Sequence, residues 1–356
     1  MLKTSGIGAT FSATVILRGV VGVVVMLLAA AGFGAAAADE TPQPLSIGAG
    51  ERLVVIAPHP DDETLGAGGL IQRVIERGGS VSVVLVTAGD GYVEAVIHET
   101  HQPLPRPAEF VAYGKRRLAE EHAALRTLGR GRVRLQFLGF PDGGLEALLR
   151  THWRRTHPER SRTTDASDPP YADAVEPDVP YDGTDLRREL VRILRATDPT
   201  LVVLPDPLDK HPDHHAAGIF ALLAVNDWVE DPRPRGPGNS AAPLPRLLAY
   251  LVHWPDWPPG LKANTPGADI AVPPLMLPQN LPARALQRLQ LTLTDAEIST
   301  KRAALAGYRS QQKVMRSFLD AFVCRTEPYT MLSAKQLQRV GNMVERKAPR
   351  ERTPQR

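Results

Sequence analysis

The apolar positions of the chain recur in a regular order. Leu53 to Ala57 is an unbroken apolar run between Arg52 and Pro58, the pattern of a strand buried on both faces. Thr64 to Arg77 follows with helical spacing, so that Leu65, Leu70, Ile71, Val74 and Ile75 share one face, and Val81 to Thr87 is a second β-branched run. Strand, helix and strand in about 35 residues make a βαβ unit, which predicts a parallel sheet with a right-handed crossover. Gly89 to Pro107 carries no periodicity and reads as a long loop in which His98 and His101 are solvated. The helical period returns from Phe110 to Leu128, with Gly129 as its stop, and Arg132 to Leu138 alternates as a strand near a sheet edge does.

From Arg150 to Tyr181 the composition turns to Arg, Thr, Asp and Pro, the mark of an exposed insertion. Its run Trp153-Arg154-Arg155, flanked by His152 and His157, reads as a solvated face rather than a grip for an anionic polymer. A helix is predicted from Thr184 to Arg195, a buried strand from Thr200 to Leu204 and a helix from Ala216 to Trp228. A Pro- and Gly-rich linker from Asp231 to Pro245 leads to a strand, Leu247 to His253, then to an irregular covering segment from Pro255 to Pro282 and an amphipathic helical region from Ala296 to Val323. The expected organisation is one α/β domain over residues 39–335 with loop insertions near 91–108, 150–180 and 230–290, followed by a polar, disordered tail over 336–356.

Charge and cysteine content narrow the chemistry. The 356 residues are 43% hydrophobic, enough for a large core, and carry a net charge of +3, of which Lys3 and Arg18 supply two. Nucleic acid as a partner has no electrostatic footprint in such a chain. The single Cys324 excludes an intrachain disulfide framework and any thiolate metal cluster, so a bound metal would be held by His and carboxylate. Residues 1–38 read as a signal peptide: Lys3 and Arg18 precede an uncharged run from Gly19 to Ala38 that ends in small residues. Export to the periplasm or the extracellular space follows, with membrane attachment only if that segment stays uncleaved as an anchor.

Two strand ends carry the reactive side chains. Leu53–Ala57 runs into Pro58-His59-Pro60-Asp61-Asp62-Glu63, and Thr200–Leu204 runs into Asp206 and then Asp209-Lys210-His211-Pro212-Asp213-His214-His215. Ligands of open α/β sheets bind beyond the carboxyl ends of the strands, so parallel pairing brings the clusters together. Catalytic zinc takes three ligands from His and carboxylate and keeps a position for water, and His59 with Asp62 and one distant His would make that set. Asp61 is placed to act as general base. His211 or His214 could polarise a carbonyl and protonate a leaving amine, with Asp209 or Asp213 orienting an imidazole. Asp142, in the turn Gly139-Phe140-Pro141-Asp142-Gly143-Gly144, sits past another strand. Gly66, Gly68 and Gly69 fail the dinucleotide fingerprint and read as sites of close helix packing.

These residues resemble the paired signature of the PIG-L/LmbE-like zinc de-N-acetylases. The resemblance takes in Arg117-Leu118-Ala119-Glu120, Leu138 to Gly143, Tyr181-Asp182-Gly183, Lys301-Arg302-Ala303 and Ser310-Gln311, and leaves out the three loop insertions. It implies a Rossmann-like three-layer α/β sandwich with its active site at the C-terminal ends of a mostly parallel sheet, and removal of acetyl from an N-acetylated amino sugar. It further implies zinc on His59, Asp62 and His214, Asp61 as base, His211 as electrophile and acid, Asp213 as the orienting carboxylate, and substrate contacts from Arg117 and Asp142. Some members have Tyr where this chain has Asp209, so a tyrosine hydroxyl is not available here to hold the oxyanion. Other readings of the same residues are a zinc amidase acting on a different N-acyl metabolite and a catalytically silent carbohydrate-binding protein. Oligomeric state has no signal in the sequence.

Overall fold

In a computed structural model of the chain, which describes residues 41–230, 244–259, 272–282 and 287–333, the apolar runs read as strands enter one eight-stranded sheet. The elements are β1 (Gln43–Pro44), β2 (Arg52–Ala57), α1 (Asp62–Glu76), β3 (Ser80–Thr87), α2 (Val93–Thr100), α3 (Pro107–Gly129), β4 (Val133–Phe140) and α4 (Leu145–Arg150). There follow α5 (Gly183–Thr197), β5 (Leu201–Pro205), α6 (Pro212–Glu230), β6 (Arg246–Tyr250), β7 (Arg288–Thr292), α7 (Asp295–Gly307), α8 (Arg309–Asp320) and β8 (Thr326–Leu332).

The strand order is β1-β7-β8-β6-β5-β2-β3-β4. β6, β5, β2, β3 and β4 run parallel, and only β8 runs antiparallel, to β6 and β7. The chain leaves β2 toward β3 and β4, then returns to place β5 on the other flank of β2. The switch in direction therefore lies between β2 and β5, where open α/β sheets bind ligands. Strand alternation sends Leu53 and Val55 to one core, beneath α1, α3 and α7, and Val54 and Ile56 to the other, beneath α5 and α6. The result is the expected three-layer α/β sandwich.

Helix α1 breaks at Ala67 (φ −144°, ψ 15°). The cause is an ion pair inserted into its hydrogen-bond ladder. Gly69 and Leu70 donate their amides to Glu327 of β8, at 2.7 and 3.0 Å, while Lys301 Nζ of α7 donates to the Leu65 carbonyl at 2.9 Å and to Glu327 at 2.8 Å. The glycines permit this approach, as expected: a Cβ on Gly66 would lie 2.3 Å from the Tyr250 ring and one on Gly69 2.3 Å from Leu293.

Several expectations are corrected. The stretch read as a loop from Gly89 to Pro107 contains α2, which is short and buries only Ala95 and Val96; His98 and His101 are exposed as expected. The segment from Arg150 to Tyr181 is not simply exposed, since Tyr171, Val179 and Tyr181 are core residues and Trp153 stacks on Phe220 at 5.6 Å. Arg155 pairs with Asp185 and His152 with Glu159. The helical region from Ala296 divides into α7 and α8 at Tyr308, and β1, β7 and β8 were not foreseen. The expected signal peptide, most of the linker at 231–245 and the polar tail lie outside the described residues. Among the described residues no helix is long and apolar enough to cross a membrane.

Candidate active site

Each of the five parallel strands delivers polar side chains to the same edge. β2 leads to His59, Asp61 and Asp62, β3 to Asp90 and Gly91, β4 to Asp142, β5 to the segment Asp206–His214, and β6 to His253. A cavity of about 340 Å³ opens there, with His59, Asp61, Asp62, Asp142, His211 and His253 among its lining. Its opposite wall is apolar, formed by Tyr92 ahead of α2 and by Met315, Phe318 and Leu319 of α8.

Three of the expected ligands meet at one atom. Asp62 Oδ2 lies 3.1 Å from His59 Nδ1 and 3.1 Å from His214 Nε2. Ligand bonds of about 2.0–2.1 Å at tetrahedral angles separate donor atoms by roughly 3.3 Å, so this spacing suits a small divalent cation. Both ring nitrogens of His214 are buried without a hydrogen bond, although Asp62 and Asp209 lie 3.1 and 3.4 Å away. That pairing of proximity with poor hydrogen-bond alignment is what shared ligation of an ion produces. Ligand-capable atoms of His59, His211 and His214 also lie within 4.8 Å of one another, as do those of Asp62, His214 and His253, and those of His59, Asp142 and Asp213.

The two adjacent aspartates are driven apart electrostatically. Burial opposes the charge of Asp62, but His214 and His59 outweigh it and hold the carboxyl well below the usual carboxylate range. Burial pushes Asp61 up to about 7, against the pull of Arg117 and with the charge of Asp62 adding to the rise. One carboxylate is thus kept anionic, as a ligand must be, and its neighbour is poised for proton transfer near neutral pH. Asp61 occupies the position before α1 with φ 117°, a conformation costly for a residue with a Cβ. Arg117 holds it there, donating to the Pro60 carbonyl at 2.6 Å, to Asp61 Oδ2 at 3.1 Å and to the Gly89 carbonyl at 2.8 Å. With those bonds Arg117, 5% exposed, braces the Asp61 turn while its edge lines the cavity.

His211 is half-buried, and its Nδ1 accepts the amide of Asp213 at 3.3 Å. That bond places the ring proton of the neutral tautomer on Nε2, leaving it a donor. Burial, with His59, His214 and His253 nearby, lowers its pKa to about 2, so the ring is a neutral imidazole at pH 7. The Asp213 carboxylate does not touch that ring: it approaches His59 Nε2 at 3.3 Å and accepts the amides of Gly143 and Leu145 at 2.7 and 3.1 Å. Asp142 Oδ1 lies 3.1 Å from the same nitrogen of His59, and its other oxygen accepts the Gly91 amide at 2.5 Å.

Asp209 ties the second cluster together. Its Oδ1 accepts the His211 amide at 2.9 Å, and its Oδ2 accepts the amides of Val252 and His253, each at 2.9 Å, while facing His214 Nδ1. His215 turns away and packs with Nδ1 2.6 Å from the Pro207 carbonyl. Glu63 is fully buried and points away from the cavity, where it receives the hydroxyls of Thr64 and, at 2.8 Å, of Tyr308. Sequence reasoning missed two residues of the site. His253 carried a signal, since it ends a strand run, but no motif surrounds it; Asp90 also follows a strand, and burial together with Asp142 pushes its carboxyl up to about 7.

Residues 54–225 match the family model described as GlcNAc-PI de-N-acetylase. A 1D-myo-inositol 2-acetamido-2-deoxy-alpha-D-glucopyranoside deacetylase of Saccharopolyspora erythraea is 29% identical over 266 residues, covering 72% of this chain and 82% of that protein. A diacetylchitobiose deacetylase of Thermococcus kodakarensis is 28% identical over 184 residues, which span 49% of this chain and 49% of that one. Among solved structures, an N,N'-diacetylchitobiose deacetylase from Pyrococcus horikoshii aligns over 79% of this chain and 84% of its own, with 20% identity and a TM-score of 0.46.

Proposed function

Because residues 54–225 match the family model of GlcNAc-PI de-N-acetylases, we propose that this chain is a zinc-dependent hydrolase that removes acetyl from an N-acetylglucosamine-type sugar or glycoconjugate. The observation that carries the reading is that Asp62 Oδ2 lies 3.1 Å from a ring nitrogen of both His59 and His214, beside an aspartate, Asp61, raised to about 7. Zinc held by those three residues would supply Lewis acidity and lower the pKa of a coordinated water to about 7.

The chain's own groups then divide the proton transfers. Asp61 takes the proton of the attacking water as general base. His211, a neutral imidazole with its proton on Nε2, donates a hydrogen bond to the acyl oxygen and keeps that proton, and the proton that Asp61 took from water passes to the departing sugar amine as the carbon–nitrogen bond breaks. Asp213 and Asp209 face the second nitrogens of His59 and His214, as carboxylates behind metal-bound histidines commonly do. Asp142 and the apolar wall border the space left for the sugar.

The test is acetate release from free N-acetylglucosamine, chitooligosaccharides and peptidoglycan fragments, with metal analysis of the same sample. Stoichiometric zinc is expected, together with turnover on at least one of these substrates. A protein with no bound divalent metal, or an Asp61→Asn variant that releases acetate as fast as wild type, defeats the proposal. The apolar wall of Tyr92, Met315 and Phe318 favours a second reading, an amidase for N-acyl compounds with an apolar portion, which turnover of N-acyl substrates lacking a sugar would select. We further propose that residues 1–38 direct export, which an alkaline phosphatase fusion to this segment tests by its activity outside the cytoplasm.

A further inference from the structure

The cavity contains an imidazole that the reaction above leaves unused. His253 follows β6, is half-buried, and lines the cavity beside His211. Its ring centroid lies 5.0 Å from that of His211 and 4.8 Å from that of His214, and the ring stacks on Phe318 of α8 at 5.3 Å and 9°. The backbone is fixed on both sides: the His253 amide donates to Asp209 at 2.9 Å, and its carbonyl accepts the Lys210 amide at 2.9 Å. Its ring nitrogens, by contrast, have no hydrogen-bond partner among the described residues. Packing on Phe318 alone requires no nitrogen.

We propose that His253 is a further catalytic residue, a hydrogen-bond donor to the acyl oxygen of the bound substrate, opposite the attacking side and beside His211. The inference rests on the hydrolase reading above. A nitrogen of His253 lies within 4.8 Å of the ligand-capable atoms of both Asp62 and His214, close enough for an oxygen bound between them to accept from it. Asp209 sets the ring's position through the backbone and Phe318 sets its plane, so the donor is held before substrate arrives. His211 donates beside it to the same oxygen, and the proton that Asp61 took from water goes to the amine. Two neutral imidazoles share the negative charge that develops on that oxygen.

The experiment compares the zinc-loaded wild type with His253→Ala and His253→Gln. Metal content is measured in each, kcat and KM are measured on an N-acetylated sugar that wild type hydrolyses, and binding of a phosphonate analogue of the tetrahedral intermediate is measured by calorimetry. Equal metal content is expected in all three, with kcat reduced about 10²–10³-fold in the alanine variant, as for loss of one oxyanion donor, and KM nearly unchanged. Glutamine, which keeps an N–H, restores part of the loss, and the analogue weakens in parallel with kcat. A kcat loss below about fivefold in the alanine variant overturns the proposal. So does metal loss in that variant as severe as in His214→Ala, which would make His253 a ligand instead. If wild type hydrolyses no N-acetylated sugar, the hydrolase reading fails by itself, and equal binding of the phosphonate to wild type and His253→Ala would then refute the donor role independently.

Discussion

Replacing Lys301 with methionine removes the cation spliced into α1 while keeping an unbranched side chain in its place. In the folded protein Lys301 and Glu327 have side chains 1% and 2% exposed. Without the ammonium, the Leu65 carbonyl loses its donor, because the Gly69 amide that would serve it in a regular helix is taken by Glu327. An unsatisfied buried carbonyl costs about 1–3 kcal/mol. Glu327 keeps the amides of Gly69 and Leu70 and the Tyr329 hydroxyl but becomes a buried charge without a counterion. Breaking a buried pair from one side in this way costs about 3–5 kcal/mol in total. The control is Arg160→Ala, which removes an ion pair with Asp165 whose side chains are 64% and 60% exposed and which solvent screens, so that its loss costs little. Urea unfolding of the metal-saturated proteins at pH 7.5, followed by far-UV circular dichroism, measures both. A Lys301→Met loss no larger than that of Arg160→Ala would refute the reasoning.

Three other outcomes follow from the same geometry. The Tyr308 hydroxyl faces both Glu63, at 2.8 Å, and Glu121, at 2.9 Å, yet has one proton; burial and the neighbouring Glu63 charge raise the Glu121 pKa well above that of an ordinary glutamate. A raised folded pKa gives stability that is complete below the unfolded value and lost as pH climbs toward the folded one. Glu121→Gln should therefore melt higher than wild type at pH 8 but not at pH 4, and equal melting temperatures at pH 8 would contradict this. Asp209→Asn should weaken zinc binding about 10–100-fold, read by competition with a chromophoric chelator, because the group facing His214 Nδ1 loses its charge; unchanged affinity speaks against it. In Gly218→Ala the new Cβ would sit 2.4 Å from the Pro205 carbonyl, so α6 must shift along with His214; a loss of about 1–3 kcal/mol in urea unfolding is expected, with reduced activity.

The strands nearest the chemistry were legible because they are buried on both faces and read as unbroken apolar runs: β2, β3 and β5 stand within a residue or two of where periodicity put them. The triad of His59, Asp62 and His214 was legible for a related reason, since buried strands that end in imidazole and carboxylate leave few structural explanations. What escaped depended on contacts made far along the chain. α2 has two turns and two buried residues, too few to set a period. β8 contains Pro328 and the buried Glu327, which look wrong for a strand until Gln290 and the α1 amides are seen opposite them. The carboxylate of Asp213 was expected beside an imidazole and is, but beside His59, because α4 brings the amides of Gly143 and Leu145 to it.

The family match ends at Val225, whereas Tyr250, His253, Lys301, Tyr308, Phe318 and Glu327 all come after it. Most of the polar floor of the cavity is thus encoded in one stretch, and most of its apolar side in another. Amino-acid changes along α8 can reshape what the cavity admits while the aspartates and histidines beneath keep their spacing. The reverse dependence is strict, because the helix that begins with Asp62 is anchored by Lys301 and Glu327. A gene truncated after Val225 would keep His59, Asp61, Asp62 and His214 and lose the clamp that holds the helix beginning at Asp62 in shape.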